Sequence, residues 1–441
     1  MSWTYHPDLL ARPIPRYTSY PTAAEFHDRI GSDDMAEALD RVAADETVSL
    51  YVHIPYCREI CWYCGCNTGA ANRTRRLDSY LERLEDEIAL VAARLDGRGR
   101  IGRIAFGGGS PNAIAPAQFD RLVATIRRAF QADGAILSIE IDPRGFAEDW
   151  AAALARNRVS RASLGVQTFA PAIQAAIGRV QPMEDVVHTV AQLRSAGVGS
   201  INFDLMYGLP GQSRDDLADT IERTIALDID RIALFGYAHV PHLIPRQRRI
   251  DATVLPDAAA RFAQAELGHA MLTRAGYAPV GFDHFAKPGD ALVIAARTGT
   301  LRRNFQGFTE DPARTLIGLG ATAISEFPDR LLQNEKNTGR YHMLIGEGRF
   351  AATRGVHRSR LDRIHGGAIE ALLTRGRTTL PPEIDAAAIA ERLRPFRDRG
   401  LVTWIGRTLA IAPAALPYAR SIAAAFDRYR APDDRRFSNA V

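Results

Sequence analysis

The chain has 441 residues, a hydrophobic fraction of 46% and a formal net charge of +4. That is enough apolar material for a large core and too little charge to argue for a nucleic-acid partner. The four cysteines sit together as Cys57, Cys61, Cys64 and Cys66, which excludes the spread-out disulfide framework of a small secreted protein.

The first residues, MSWTYHPDLLARPIPRYTSYPT, show no apolar run after a basic start, so no signal peptide is expected. No stretch approaches about 18 consecutive apolar residues, so no membrane span is expected and the expected location is the cytoplasm. Residues 1–40, rich in Pro, Tyr and Thr, read as an extension that wraps the mouth of the main domain.

Strand-like runs follow at 49–54, 103–108, 136–142, 161–167, 201–208 and 231–238. Helical patterns alternate with them at Leu77–Leu95, Pro116–Phe130, Glu148–Asn157, Met183–Ala196, Ser213–Leu227 and Pro256–Ala275. In the first helix Leu77, Tyr80, Leu81, Leu84, Ile88 and Val91 share one face. Strand-then-helix units in series predict a parallel α/β fold, with the core at about 42–282 inside a main domain spanning 41–358. Gly107–Ser110, Glu140, Asp142, Gln167, Asp204, Ala238 and His239 gather at strand C-terminal ends. Both a barrel and an open sheet place ligands there, so periodicity alone does not choose between them.

The tail, 359–441, reads as helix (Leu361–Arg375), helix (Ala386–Arg399), two short strands (Leu401–Ile405 and Leu409–Ile411) and helix (Leu416–Arg430). That order is winged-helix-like, but a fold does not imply its best-known function, and no nucleic-acid partner is expected. Arginine far outnumbers lysine, which occurs only as Lys287 and Lys336. Compositional bias accounts for this, and so does recognition of carboxylates by guanidinium forks.

The cysteine segment, HIPYCREICWYCGCN, follows the first strand with the spacing C-x3-C-x2-C-x-C. Thiolates on one short loop can converge on one face of an iron–sulfur cluster, and three protein ligands leave one iron open. A four-thiolate zinc site is the alternative, although zinc modules usually pair two distant knuckles. Tyr51 and His53 alternate along the first strand and so face the same side. A buried core histidine is an equally natural reading of His53, as it is of His239 and His284.

C-x3-C-x2-C after a first strand, with Tyr63 just before the third cysteine, resembles the radical S-adenosylmethionine superfamily. PRYTSYPT (15–22), YVHIPYC (51–57), YCGCN (63–67), GGGSP (107–111), EIDPR (140–144), LGVQTF (164–169), NFDLMYGLPGQ (202–212), YAHVP (237–241), GFDHFA (281–286), RNFQGF (303–308) and RRFSNAV (435–441) narrow this. Together they resemble the oxygen-independent coproporphyrinogen III oxidase (coproporphyrinogen dehydrogenase) family over nearly the whole chain.

The resemblance implies a partial parallel (β/α)6 barrel with an N-terminal extension and a small, mainly helical C-terminal domain covering the substrate site. It implies a 4Fe–4S cluster on Cys57, Cys61 and Cys64, with S-adenosylmethionine on the open iron. Tyr51, Gly108, Gly109, Ser110, Glu140 and Ile324 would contact that S-adenosylmethionine. Tyr63, Gln167, Arg179, Asp204 and Ala238 match positions for a second S-adenosylmethionine. Cys66 and Tyr51 would act in catalysis. The family often has Thr where Ser110 stands, and some members carry a cysteine within the segment matching 372–381, where this chain has none.

The implied reaction is oxidative decarboxylation of two propionates of coproporphyrinogen III to vinyl groups through a 5′-deoxyadenosyl radical. It would need an external electron donor; a monomer is expected, with no membrane partner. A haem chaperone of the same superfamily, binding haem without turnover, is the alternative. That branch typically lacks the fourth cysteine and the PRYTSYPT leader.

Overall fold

The computed structural model describes residues 3–71 and 74–430; the RRFSNAV segment (435–441) lies outside the described residues. The expected α/β architecture is present. Its centre is the run of strands β1 (Thr47–Ile54), β2 (Arg100–Gly108), β3 (Ile136–Ile141), β4 (Val159–Gln167), β5 (Ser200–Tyr207) and β6 (Arg231–Gly236). Neighbours pair in parallel in chain order. The connecting helices start and stop within a few residues of their sequence patterns. Leu77, Tyr80, Leu81, Leu84, Ile88 and Val91 all pack into the main core, as their spacing requires. After Thr47, every residue of β1 is buried, the pattern of a strand covered on both faces.

The sheet continues beyond the expected six strands. Thr315–Leu319 pairs in parallel with β1, in register Tyr51 to Gly318. Ile324–Phe327, Arg330–Asn334 and Ala352–His357 then add antiparallel strands outside it. At the other end His284–Ala286 and Ala278–Val280 extend β6 in antiparallel fashion. The result is a 12-stranded sheet among the described residues, with Ala352–His357 at one edge and Ala278–Val280 at the other. It is a partial barrel, since those edges do not pair with each other. Residues 278–357 gave no alternating helix–strand signal because these strands are three to six residues long and joined by tight turns.

In the tail, Arg360–Arg375 is one helix, but two expected helices are broken. The expected helix 386–399 splits into Ala386–Arg392 and Arg394–Arg397, with Pro395 opening the second piece. The expected helix 416–430 is instead a 3-10 turn, a short α-helix (Ala419–Ala423) and another 3-10 turn. Pro417 removes a backbone donor there, which accounts for the break. A strand not read from the sequence, Arg377–Thr379, joins the two expected ones in a three-stranded antiparallel sheet. Among the described residues no helix is long and apolar enough to cross a membrane.

Candidate active site

The cysteine loop is pinned at both ends. Gly69 N–H donates to the Pro55 carbonyl at 2.8 Å and Ala71 N–H to the Cys57 carbonyl at 2.8 Å. From the neighbouring strand, Gly109 N–H donates to Ile54 O and Ser110 N–H to Tyr56 O, each at 2.8 Å. A Cβ at Gly109 would stand 2.6 Å from the Tyr56 carbonyl oxygen, so only glycine lets β2 run this close to the loop. Trp62 fixes the far side: its N–H donates to Ile177 O at 3.0 Å, and its ring lies against Gly178.

Cys61 is buried, Cys57 and Cys64 are half-buried and Cys66 is exposed; all four are free thiols. Two guanidiniums reach Cys61 Sγ, Arg179 at 3.3 Å and Arg144 at 3.5 Å. Asp142 holds both, accepting from Arg144 at 2.6 Å and from Arg179 at 3.2 Å. Burial would raise the Asp142 carboxyl, but these two arginines outweigh it and hold it below its usual value. Cys66 N–H donates to Cys64 Sγ at 3.4 Å. Hydrogen bonding from Cys66 pulls the Cys64 thiol down despite burial. Among the described residues no three His, Cys, Asp or Glu side chains stand close enough to hold a single metal ion.

The remaining candidates fall into two neighbouring groups. In the first, Glu140 accepts from Gly108 N–H at 3.1 Å. Burial, helped by nearby Asp204, pushes its carboxyl up to about 7. Tyr51 Oη lies 3.1 Å from His53 Nδ1, which confirms the shared face. Its ring packs edge-on to Phe305, and its phenol feels the charges of Glu140 and Cys66. His53 is the buried histidine, pushed down to about 4 by burial, with Nε2 unpartnered. Ser110 Oγ is 2.7 Å from Asn112, and Asn112 in turn donates to Asp142 O at 2.8 Å.

In the second group, a bulge between Gly165 and Gln167 re-aims Gln167, which adopts φ +69° at the end of β4. Gln167 and Arg179 both crowd the Cα of Gly165. Asp204 accepts from Ser163 at 3.1 Å and Asn202 at 2.9 Å, and burial raises its carboxyl. Gln247 bridges the carbonyls of Tyr63 (2.9 Å) and Ala238 (3.0 Å). Glu140, Asp204, Ser163, Phe235 and His284 line an interior cavity of about 280 Å³.

Ile324 stands apart. Its side chain packs with Phe26, Leu331 and Val356, and only its backbone approaches Gly318, the register partner of Tyr51. Sequence reading assigned no role to Arg144 or Gln247. Arg144 could have been found as the last residue of EIDPR, next to the carboxylates of β3. Gln247 carried no signal, since a lone polar residue in a loop says nothing about its partners.

The fold and the cysteine loop define the class, and residues 51–224 match the Radical SAM superfamily. An oxygen-independent coproporphyrinogen III oxidase from Bradyrhizobium diazoefficiens is 42% identical over 438 residues, covering 97% of each chain. An anaerobic coproporphyrinogen III oxidase from Cereibacter sphaeroides is 39% identical, covering 96% of this chain and 95% of its own. The solved coproporphyrinogen III oxidase of Escherichia coli, a radical SAM enzyme, superposes with a TM-score of 0.91 at 34% identity. It covers 98% of this chain and 100% of its own. This chain belongs to the oxygen-independent coproporphyrinogen III oxidase family.

Proposed function

We propose that this chain oxidatively decarboxylates two propionates of coproporphyrinogen III without oxygen, giving protoporphyrinogen IX in the cytoplasm. Full-length likeness to coproporphyrinogen III oxidases carries this reading. The residues present fit a 4Fe–4S cluster. Three thiols sit on one pinned loop, and the guanidiniums on Cys61 Sγ offset the negative charge of thiolate ligation. Cys57, Cys61 and Cys64 would be its ligands, with one iron left for S-adenosylmethionine. When bound and reduced by an external donor, that pair supplies a 5′-deoxyadenosyl radical that abstracts hydrogen.

The chain's own residues then bind, orient and exclude water. The glycine run at 107–109 lets backbone approach a ligand, and Glu140 offers a carboxylate to ribose hydroxyls beside it. Tyr51 and Ser110 would complete that site, with the Ile324 backbone at its edge. Tyr63, Gln167, Arg179, Asp204 and Ala238 would hold a second S-adenosylmethionine, with Arg179 and Asp204 matching the two charges of an amino acid. Cys66 is exposed beside the loop and close in charge to Glu140 and Tyr51, which suits a proton-moving role. The extension 1–40 and the segment 359–441 would close the mouth of the domain at 41–358, and the working unit would be a monomer.

Anaerobic incubation of reconstituted protein with coproporphyrinogen III, S-adenosylmethionine and reductant tests this. Vinyl product is expected. Stable haem binding with no product would favour the chaperone and overturn the proposal.

A further inference from the structure

Three sequence segments carry residues that the site above does not use: Arg16 of the leader at 15–22, Phe282 and Asp283 of GFDHFA (281–286), and Arg303 of RNFQGF (303–308). They meet at one place. Arg16, Asp283 and Phe282 line a cavity of about 70 Å³ together with Arg261 from the helix Ala258–Arg274 and Arg420 from Ala419–Ala423. Arg303 stands beside it, its guanidinium 5.0 Å from the Phe282 ring centre. Arg16 lies over Phe235 at 5.3 Å and Arg420 over Phe282 at 5.8 Å.

Asp283 is the one carboxylate lining the cavity among the described residues, and it is 2.6 Å from His284 Nδ1. Arg16, Arg261 and Arg303 are oriented by backbone carbonyls instead. Arg16 donates to Gly236 O at 3.1 Å, Arg261 to Tyr237 O at 2.6 Å, and Arg303 to Tyr17 O at 3.2 Å. Arg261 Nε and Arg303 Nη1 are buried and unpartnered. Burial, then repulsion from Arg16, pushes Arg420 down to about 10; burial also lowers Arg261 and Arg303. Arg261 and Arg303 thus hold like charges largely out of water, which destabilises a fold unless an anion compensates them. Forks held by carbonyls, with nitrogens left over, are arranged to bind a carboxylate.

Resting on the decarboxylase reading, we infer that this arginine pocket anchors a propionate of the substrate that survives the reaction. The pocket is sized for one carboxylate arm rather than a macrocycle. None of Glu140, Gln167, Asp204 or Ala238 lines it, so the reacting propionate belongs elsewhere. Phe235 lines both this pocket and the interior cavity containing Glu140, so the two spaces adjoin.

The test is anaerobic equilibrium ultrafiltration of the full-length protein with coproporphyrinogen III, the free fraction being oxidised and read as porphyrin absorbance. Arg16→Gln and Arg261→Gln are expected to raise Kd about tenfold each, and the double variant about a hundredfold. Arg16→Lys and Arg261→Lys should recover part of the affinity, and the double variant should bind with a weaker salt dependence. A merely structural role would not produce these last two effects. Arg16 is exposed, so its variants report even where Arg261→Gln fails to fold. Unchanged Kd in the single variants, with tight binding by the parent, would overturn the pocket and leave the decarboxylase standing. Binding lost in the variants from a parent that makes no vinyl product would retain the pocket and overturn the decarboxylase. A parent that does not bind overturns both.

Discussion

At the scale of the residue, the four cysteines divide by position. Cys61 Sγ accepts from Arg179 and Arg144, and Cys64 Sγ accepts from Cys66 N–H, whereas Cys66 is the exposed member of the set. Replacing Cys61 by Ala should abolish iron binding, measured as iron content after reconstitution. Cys66→Ala should keep about 4 iron per chain while product formation falls about 10²-fold, the scale of a lost proton donor. An equal loss of iron in both variants would make Cys66 a ligand. The cysteine spacing made this group legible in the sequence. The support around it was not: Arg179 reaches Cys61 across 118 residues and Arg144 across 83, and sequence pattern says nothing over such separations.

At the scale of the element, the parallel strands are tied by charge as well as by backbone. Glu310 meets Arg103 of β2 at 2.8 Å, Arg161 of β4, and Arg231 of β6 at 3.9 Å. Burial alone would raise its carboxyl, but Arg161, Arg231 and Arg103 outweigh burial and bring it down to about 2. A depressed carboxyl stabilises the fold above its unfolded value of 4.5, and that contribution disappears as pH falls through 2. Glu310→Gln should therefore cost about 3 kcal/mol near pH 7, with the difference from the parent shrinking between pH 4.5 and 2. Denaturant melts across that range measure it, and a pH-independent difference would contradict it. The strands and helices of the core could be read because each carries its own period. The strands from 302 to 357 could not, since a strand of three to six residues holds too few turns of its pattern to separate it from a loop.

At the scale of the whole molecule, residues 3–20 fold together with the described part of the tail. Leu9, Leu10, Ile14, Tyr17 and Tyr20 share one core with Leu372, Leu409, Tyr418 and Phe426. Tyr17 Oη donates to Asp427 at 3.0 Å. Tyr418 Oη accepts from His6 N–H at 2.8 Å and donates to Thr4 O at 2.6 Å. Tyr418→Phe should cost about 1–3 kcal/mol, the scale of two buried hydrogen bonds. The loss should appear as a lower Tm and as faster amide exchange confined to residues 3–20 and the tail. Exchange unchanged in residues 3–20 would show that these bonds do not hold the extension.

The sequence by itself determined the α/β alternation, the strand ends that bear polar residues, and the cysteine loop. Each is written within a few consecutive residues, where backbone propensity and side-chain period act. Only the tertiary structure decided that Thr315–Leu319 lies beside β1 and that Arg16, Arg261, Arg303 and Arg420 meet. Those outcomes follow from which distant surfaces bury one another and which distant carbonyls find a donor, and local pattern does not encode either.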